Sequence, residues 1–182
     1  MELLMQLKRA LDGLESSDLE SRVRAVEDLS VCSSDIVEHV VKALELEQEA
    51  PHLIVERMGR FGSLAIAPLE RLHQDTDDES LQFMTASALL YMGSIIGIPS
   101  LLAVVATGNP RLCMAATSLA AAQVSEAAKP IERALMECEL SDSKTLECLS
   151  ASLRELKHPL SENTRLRLSE VEPEWLRNSL LD

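Results

Sequence analysis

Large apolar side chains recur along the chain at the spacing of helices, and the helical pattern itself repeats about every thirty residues. The anchors of this repeat, separated by 29, 31, 30 and 34 residues, are Leu29, Met58, Leu89, Leu119 and Leu153. Positions three before and three after each anchor are expected to pack beside it: Val26, Val55, Ala86, Ala116 and Ser150 before, and Cys32, Phe61, Met92, Ala122 and Leu156 after. Since residues three apart share a helix face, each window predicts a helix with one buried stripe.

A second helix is predicted in the later half of the repeat. Pro68, Pro99 and Pro130 lie 31 residues apart, and a Leu or Ile follows each within two residues. Proline is tolerated in the first turn of a helix because the N–H there has no intrahelical partner. Gly62 and Gly93 stand four residues after their anchors, where a left-handed residue ends a helix. The unit is therefore predicted to be a helix, a short turn and a second helix.

The helix starts and both ends of the chain carry further signals. The acidic residues eleven positions before an anchor are expected to act as N-caps, and they are Asp18, Asp78 and Asp142. The apolar spacing of residues 2–14 predicts a helix that covers the first repeat, as the ends of a repeat stack require. After Pro173, a short last helix is expected to lay Trp175, Leu176 and Leu180 onto the fifth repeat.

This pattern resembles the HEAT repeat, in the short bacterial form related to the phycobilisome-lyase HEAT-like repeat. The segment DESLQFMTASALLYMGSIIGIPSLLAVV fits it best, whereas LESRVRAVEDLSVCSSDIVEHVVKAL lacks both the glycine and the proline. The resemblance implies an all-α fold, a right-handed α-α superhelix of about five helical hairpins that forms one solenoid domain over residues 1–182. Its expected parts are an N-terminal cap (1–17), five repeats (18–49, 50–77, 78–108, 109–140 and 141–170) and a C-terminal cap (171–182).

Composition supports a folded helical protein. Hydrophobic residues make up 46% and charged residues 26%, which is typical of folded soluble chains and excludes wholesale disorder. Aromatic residues make up only 2%, too few for the strands of a β-sandwich or for a base-stacking surface.

Local sequence patterns indicate the expected cellular compartment and whether a membrane-spanning segment is expected. The four cysteines show no CxxC spacing and lie in apolar helical contexts, where reduced cysteine behaves as a small hydrophobe, so a cytoplasmic protein is expected. Residues 80–110 hold no charged side chain, and 84–106 is long enough to span a bilayer. Gly93, Gly97 and Pro99 interrupt that stretch, which also falls in register with the repeat, so no membrane span is expected.

The formal net charge is −13, and the acidic groups cluster where one repeat passes to the next. The partner-binding candidates in the first clusters are Glu45, Glu47, Glu49, Asp75, Asp77, Asp78 and Glu79; later clusters are Glu137, Glu139 and Asp142, and Glu170, Glu172 and Glu174. In a solenoid such loops follow one edge, which predicts an acidic ridge interrupted at residues 107–110. The simpler interpretation is that these groups only cap helices and suit the helix dipole; the alternative is that they also steer a basic partner protein.

No catalytic, cofactor-binding or metal-binding residue is predicted. The chain holds no GxGxxG, GxxxxGK[ST], HExxH or GxSxG motif, and its four histidines are separated. The iron-binding HEAT-repeat hydroxylases carry repeated His-Glu pairs, whereas Glu38-His39 has the reverse order and occurs once. Nucleic-acid binding is not expected either, because the chain is acidic and poor in aromatic residues.

Three functions remain in competition. The first is a non-catalytic protein-binding scaffold or adaptor. The second, a special case of the first, is an immunity or inhibitor protein: small acidic HEAT-repeat proteins of bacteria resemble those encoded beside polymorphic toxins, and a nuclease toxin must be basic to hold its substrate. The alternative from another class is a bilin lyase or isomerase of the phycobilisome type, which predicts a tetrapyrrole-sized cavity lined by aromatics. The oligomeric state is left open.

Overall fold

A computed structural model of the chain describes residues 2–46 and 57–181. These residues form helices joined by short turns, and the described part of the chain contains no strand, as the all-α prediction required. The chain divides into two compact units, one up to Thr76 and one from Asp77 onward.

The first unit is built on one long helix. Its elements are α1 (Glu2–Leu14), α2 (Leu19–Leu46), a 3-10 segment (Gly59–Ala65) and α3 (Ile66–Asp75). Helix α1 packs along α2, and α2 also contacts the 3-10 segment and α3. The buried apolar side chains of this unit are Ala10, Ala25, Cys32, Val37, Val41, Met58, Ala65, Leu69 and Leu72.

The prediction of a helical hairpin over residues 18–49 is wrong, because α2 runs without a break from Leu19 to Leu46. The physical reason is the absence of a helix-breaking residue: this segment has neither the glycine nor the proline that ends one helix and opens the next in the later repeats. The prediction of a buried stripe around Leu29 is wrong as well, since Leu29 is only half-buried and Val26 is exposed.

The second unit consists of helices that pack on their neighbours in chain order. They are α4 (Glu79–Tyr91), α5 (Ile98–Thr107), α6 (Leu112–Ala121), α7 (Ala128–Glu137), α8 (Ser143–Glu155), α9 (Glu162–Leu168) and α10 (Glu174–Leu181), with a 3-10 turn (Ser125–Ala127) before α7. The alternate helices α4, α6 and α8 pack side by side, each followed by a partner helix. One continuous apolar core runs from Phe83 to Leu180.

The expected helix starts are confirmed in detail. Pro68, Pro99 and Pro130 stand in the first turns of α3, α5 and α7. The carboxylate of Asp78 accepts hydrogen bonds from the first backbone N–H groups of α4, and that of Asp142 accepts one from the N–H of Thr145 in α8. Asp18 caps α2 in the same way, with its carboxylate 2.8 Å from the backbone nitrogen of Ser21. The predicted N-caps are therefore present in both units.

The positions four residues after the anchors have a left-handed backbone wherever the repeat forms. Gly62 and Gly93 have φ of 57° and 88°, and Gln123 and Lys157, which are not glycines, have 56° and 54°. In the second unit the next N–H donates to the anchor carbonyl at 2.9–3.0 Å, as in a Schellman motif. The anchor spacing therefore locates these helix ends even where no glycine marks them.

Replacing Lys157 by glycine is expected to stabilise the protein by about 0.5 to 1 kcal/mol, because glycine removes the Cβ that disfavours a left-handed backbone. Chemical denaturation of the variant and the wild type measures the change. Lys144→Gly, inside the first turn of α8, is the matched control and is expected to destabilise by a similar amount. A Lys157→Gly variant that loses as much stability as this control would contradict the assigned register.

Burial at the repeat positions agrees with the prediction in part. The anchors Met58, Leu89, Leu119 and Leu153 are fully buried. The small residues three positions before Leu89, Leu119 and Leu153 are buried as well; they are Ala86, Ala116 and Ser150. Val55, three positions before Met58, lies outside the described residues. The prediction for the positions three after the anchors is wrong at Phe61 and Ala122, which are exposed because the left-handed turn begins there. In the last helix Leu176 and Leu180 are buried as expected, whereas Trp175 is exposed.

The uncharged stretch over residues 84–106 is divided between two helices. Helix α4 ends at Tyr91 and α5 begins at Ile98. A Cβ on Gly97 would come within 2.6 Å of the backbone of Ala86, so glycine allows the start of α5 to approach α4 closely. In the part of the chain that the structure describes, no helix has the length and apolar character needed to cross a bilayer.

Candidate functional site

The predicted acidic candidates are distributed over both units. Glu47 and Glu49 lie outside the described residues, and so does the side chain of Glu45, whose backbone belongs to the last turn of α2. Asp75 ends α3 in the first unit and is exposed. Asp77, Asp78 and Glu79 are exposed at the start of the second unit.

Asp78 has the capping role of the simpler interpretation. Its carboxylate Oδ1 lies 2.7 Å from the backbone nitrogen of Ser80 and 2.9 Å from that of Leu81. Asp77 and Glu79 flank it and are exposed. In this cluster, one group is therefore committed to the helix and two are presented to solvent.

The starts of α4, α6 and α8 lie along one edge of the second unit, which we call the helix-start edge. Arg111, at the start of α6, donates a hydrogen bond of 2.9 Å to the hydroxyl of Ser80 at the start of α4. Its guanidinium carbon also lies 5.4 Å from the centre of the Phe83 ring, within the range of a cation–π contact. The guanidinium of Arg111 therefore lies close to the acidic cluster of Asp77, Asp78 and Glu79, where the sequence predicts an interruption of the acidic ridge.

The far part of the helix-start edge contains an acidic cavity of about 470 Å³ between the start of α6 and the start of α8. Its rim carries the carboxylates of Glu137, Glu139 and Asp142, all exposed. Its apolar lining includes Val105, Leu112 and Ala134, and the residues that line it include no lysine or arginine. The sequence grouped these three acids, but it gave no sign of the apolar floor, which is assembled from three helices.

The electrostatics of this acidic cavity favour a cation. Hydrogen bonds from the side chain and backbone of Thr145 hold the pKa of Asp142 below its usual value, so its charge is kept at neutral pH. Beside the cavity, Arg167 donates a hydrogen bond to the backbone carbonyl of Cys138 and supplies one positive charge. A long basic side chain suits such a site, because its alkyl stem can lie on the apolar floor while its head meets the carboxylates.

A second cavity, of about 700 Å³, lies between α4 and α6. Leu90, Met114 and small residues such as Ala121 line it, with the exposed ring of Tyr91 at its rim. Tyr91 is the one aromatic among its lining residues. This cavity therefore has the volume but not the aromatic lining that the bilin hypothesis predicts.

Two thiols meet between α6 and α8. Cys148 donates a long hydrogen bond to the backbone carbonyl of Cys113, with the sulfur 3.5 Å from the oxygen. Burial, and then the hydrogen bond with the Cys148 thiol, raise the pKa of Cys113 to about 11. A thiol that stays protonated is a poor nucleophile, which agrees with a packing role.

The side chains that could ligate a metal ion are dispersed in the described part of the chain. Within residues 2–46 and 57–181, no three His, Cys, Asp or Glu side chains converge closely enough to hold a metal ion. His158 does meet a carboxylate, that of Glu132, at 3.1 Å. That carboxylate also accepts hydrogen bonds from the backbone N–H of Ser161 and from the hydroxyl of Thr164, so it joins α7 to α9 rather than pointing into a cavity.

The site residues that the sequence missed are those without a local signal. Arg111 was visible as the sole charge between residues 80 and 125, but its contact with α4 depends on packing. The cavity floor has no sequence signature at all, since its residues come from separate helices.

Comparisons with protein-family models, with curated proteins and with solved structures found no match to this chain.

Proposed function

We propose that this chain is a non-catalytic protein-binding module, a right-handed HEAT-like solenoid whose helix-start edge receives a basic partner protein. The observation that carries the proposal is the acidic cavity, in which three exposed carboxylates surround an apolar floor. Helical-repeat proteins commonly bind partners through extended surfaces of this kind. A scaffold or adaptor is the general form of the proposal, and an immunity or inhibitor protein that binds a basic toxin is its specific form.

Charge and shape together favour a basic partner. The chain carries 30 acidic and 17 basic residues, so a basic protein is attracted at long range. The acidic cavity then offers a local contact for one arginine or lysine of the partner. Arginine fits best, because its planar guanidinium can bind carboxylates in a bidentate manner and is weakly hydrated. Acidic groups close to the contact raise the association rate more than distant ones do, and the apolar floor opposes dissociation.

Affinity capture from an extract of the source cell tests this function. The tagged wild-type chain, the Glu137→Lys/Glu139→Lys variant and a control are each used as bait at low and at high salt, and the captured proteins are identified. The control is Glu126→Lys/Glu147→Lys, which makes the same change in net charge at exposed positions that do not line the acidic cavity.

The expected result is a basic protein that the wild type and the control retain at low salt and that the Glu137/Glu139 variant loses. Reversal at Glu137 is structurally mild, because a cation at the last residue of α7 suits the helix dipole. A partner that all three baits hold equally well would place the contact elsewhere. Mixing the purified chain with a bilin tests the alternative, and a shifted absorption band would favour the lyase or isomerase.

A further inference from the structure

Two of the four cysteines, Cys113 of α6 and Cys148 of α8, lie against each other although 35 residues separate them in the chain. The sulfur of Cys148 lies 3.5 Å from the backbone carbonyl oxygen of Cys113 and 3.6 Å from the hydroxyl oxygen of Thr117, one turn further along α6. The Cys148 side chain is therefore directed at α6 at the level of Cys113, and the two thiols form a hydrogen bond.

This contact has the form that a disulfide bond needs. A disulfide joins cysteines whose Cα atoms are about 4.4 to 6.8 Å apart and whose side chains point toward each other. The carbonyl oxygen of Cys113 is separated from the Cα of the same residue by two bonds of about 1.2 and 1.5 Å. The Cys148 sulfur, in contact with that oxygen, therefore also lies close to the Cys113 side chain. Rotation of the two side chains then brings the sulfurs to bonding distance while α6 and α8 stay packed.

We propose that Cys113 and Cys148 are a redox-sensitive thiol pair, which a disulfide oxidant such as glutathione disulfide converts into a covalent link between α6 and α8. An oxidant can reach the pair, because both residues are partly exposed and Cys113 lines both the acidic cavity and the cavity between α4 and α6. The other two cysteines are placed differently: Cys32 is buried in the first unit, and the sulfur of Cys138 lies 3.6 Å from the carbonyl oxygen of Glu139.

The reaction is expected to begin at Cys148. Burial and the thiol contact raise the pKa of Cys113 to about 11, so Cys113 is a slow first nucleophile. The Cys148 thiolate attacks one sulfur of glutathione disulfide, whose S–S bond breaks, and one glutathione leaves as a thiolate and takes up a proton. The Cys113 thiolate then attacks the Cys148 sulfur and releases the second glutathione in the same way. Two protein thiols are thereby oxidised, and one glutathione disulfide is reduced to two glutathione molecules.

The first step prepares the second. Once Cys148 carries glutathione, its thiol no longer raises the pKa of Cys113, and the attacking sulfur is already beside its target. The resulting bond joins residues that are 35 apart in the chain, so it restricts the unfolded state. Oxidation is therefore expected to make the folded protein more resistant to denaturant.

Peptide mapping of the oxidised full-length protein tests the proposal. The reduced protein is incubated in its folded state with excess glutathione disulfide, remaining thiols are blocked, and tryptic peptides are identified by mass spectrometry. Trypsin separates the three cysteines of the second unit into residues 112–133, 134–144 and 145–154. The wild type is expected to yield 112–133 joined to 145–154 by a disulfide. The control Cys138→Ser, which removes another partly exposed thiol, is expected to yield the same link, and Cys113→Ser is expected to stop at a glutathione adduct on Cys148.

Denaturant unfolding provides a second readout. The oxidised wild type is expected to unfold at a higher denaturant concentration than the reduced wild type, whereas oxidant is expected to leave the midpoint of Cys148→Ser unchanged. Oxidation in denaturant is expected to mix the links among the three cysteines, which identifies the folded state as the source of the selective pairing. Separate glutathione adducts on Cys113 and Cys148, no reaction at either thiol, or a link to Cys138 in the folded protein would overturn the proposal. A lower midpoint of the linked protein would overturn it as well.

Discussion

Replacing Leu89 by alanine is expected to lower the free energy of unfolding by about 2 to 5 kcal/mol. Leu89 is fully buried in α4, and its carbonyl accepts the N–H of Ser94 that closes the end of that helix. Truncation removes buried apolar surface and leaves a cavity that the rigid surroundings fill only in part. The backbone hydrogen bond is unaffected, so the loss measures side-chain packing alone.

Denaturant unfolding, followed by circular dichroism, measures this effect. The matched control is Leu166→Ala in α9, the same substitution at a side chain that is 68% exposed, and it is expected to change stability by less than about 0.5 kcal/mol. Equal midpoints for the two variants would show that the repeat register around Leu89 is wrong.

Replacing Glu132 by alanine is expected to destabilise the protein by about 2 to 4 kcal/mol. Its side chain is 15% exposed, and its carboxylate lies 2.7 Å from the backbone nitrogen of Ser161 and 2.8 Å from the hydroxyl of Thr164. Removing the carboxylate leaves the backbone N–H of Ser161 and the hydroxyl of Thr164 without their acceptor, and Thr164 is buried. The contact with His158 is lost as well, so the link between α7 and α9 is broken.

The contribution of Glu132 to the stability of the folded protein is expected to depend on pH. Burial alone would raise the pKa of this carboxyl, but the hydrogen bonds from Ser161, Thr164 and His158 outweigh it and hold the pKa at about 2, below the ordinary 4.5. A pKa that is lowered by folding gives stability that is fully present above about pH 5 and is lost as the pH falls toward 2.

Unfolding of the wild type and of Glu132→Gln at pH 6 and pH 3 measures this dependence. The stability difference between them is expected to shrink at pH 3, because the carboxyl is then already largely protonated in the unfolded chain, whereas in the folded protein it is still largely ionised. Glu170→Gln, at an exposed position, is the control and is expected to change stability little at either pH. A difference that is the same at both pH values would contradict the charge-based role of Glu132.

The sequence predicted the repeat of the second unit well because the signals there are local. The left-handed helix ends predicted at Gly62 and Gly93 are confirmed. Gln123 and Lys157 were not predicted, because no glycine marks them, but they too stand four residues after a buried anchor, Leu119 or Leu153. The first repeat was predicted poorly for the same reason. Its missing glycine and proline were visible, and the structure shows that without them α2 continues as one helix.

The candidate site was less predictable, because it depends on which helices meet. The acids at Glu137, Glu139 and Asp142 could be grouped from their spacing, but the apolar floor between them comes from α5, α6 and α7. Similarly, the leucine spacing of α1 predicted an apolar stripe, but it could not show that Leu4 and Leu11 stay exposed. Amphipathic patterns indicate that a face is to be covered without indicating what covers it.

The association rate of the captured basic partner tests the central claim, binding at the acidic cavity, most directly. It is measured as a function of salt for the wild type, for Glu137→Lys/Glu139→Lys and for the control Glu126→Lys/Glu147→Lys. The account predicts that the Glu137/Glu139 variant associates more slowly at low salt than the control of equal net charge, with a flatter salt dependence and faster dissociation. Identical rate constants for the two variants at every salt concentration would contradict it.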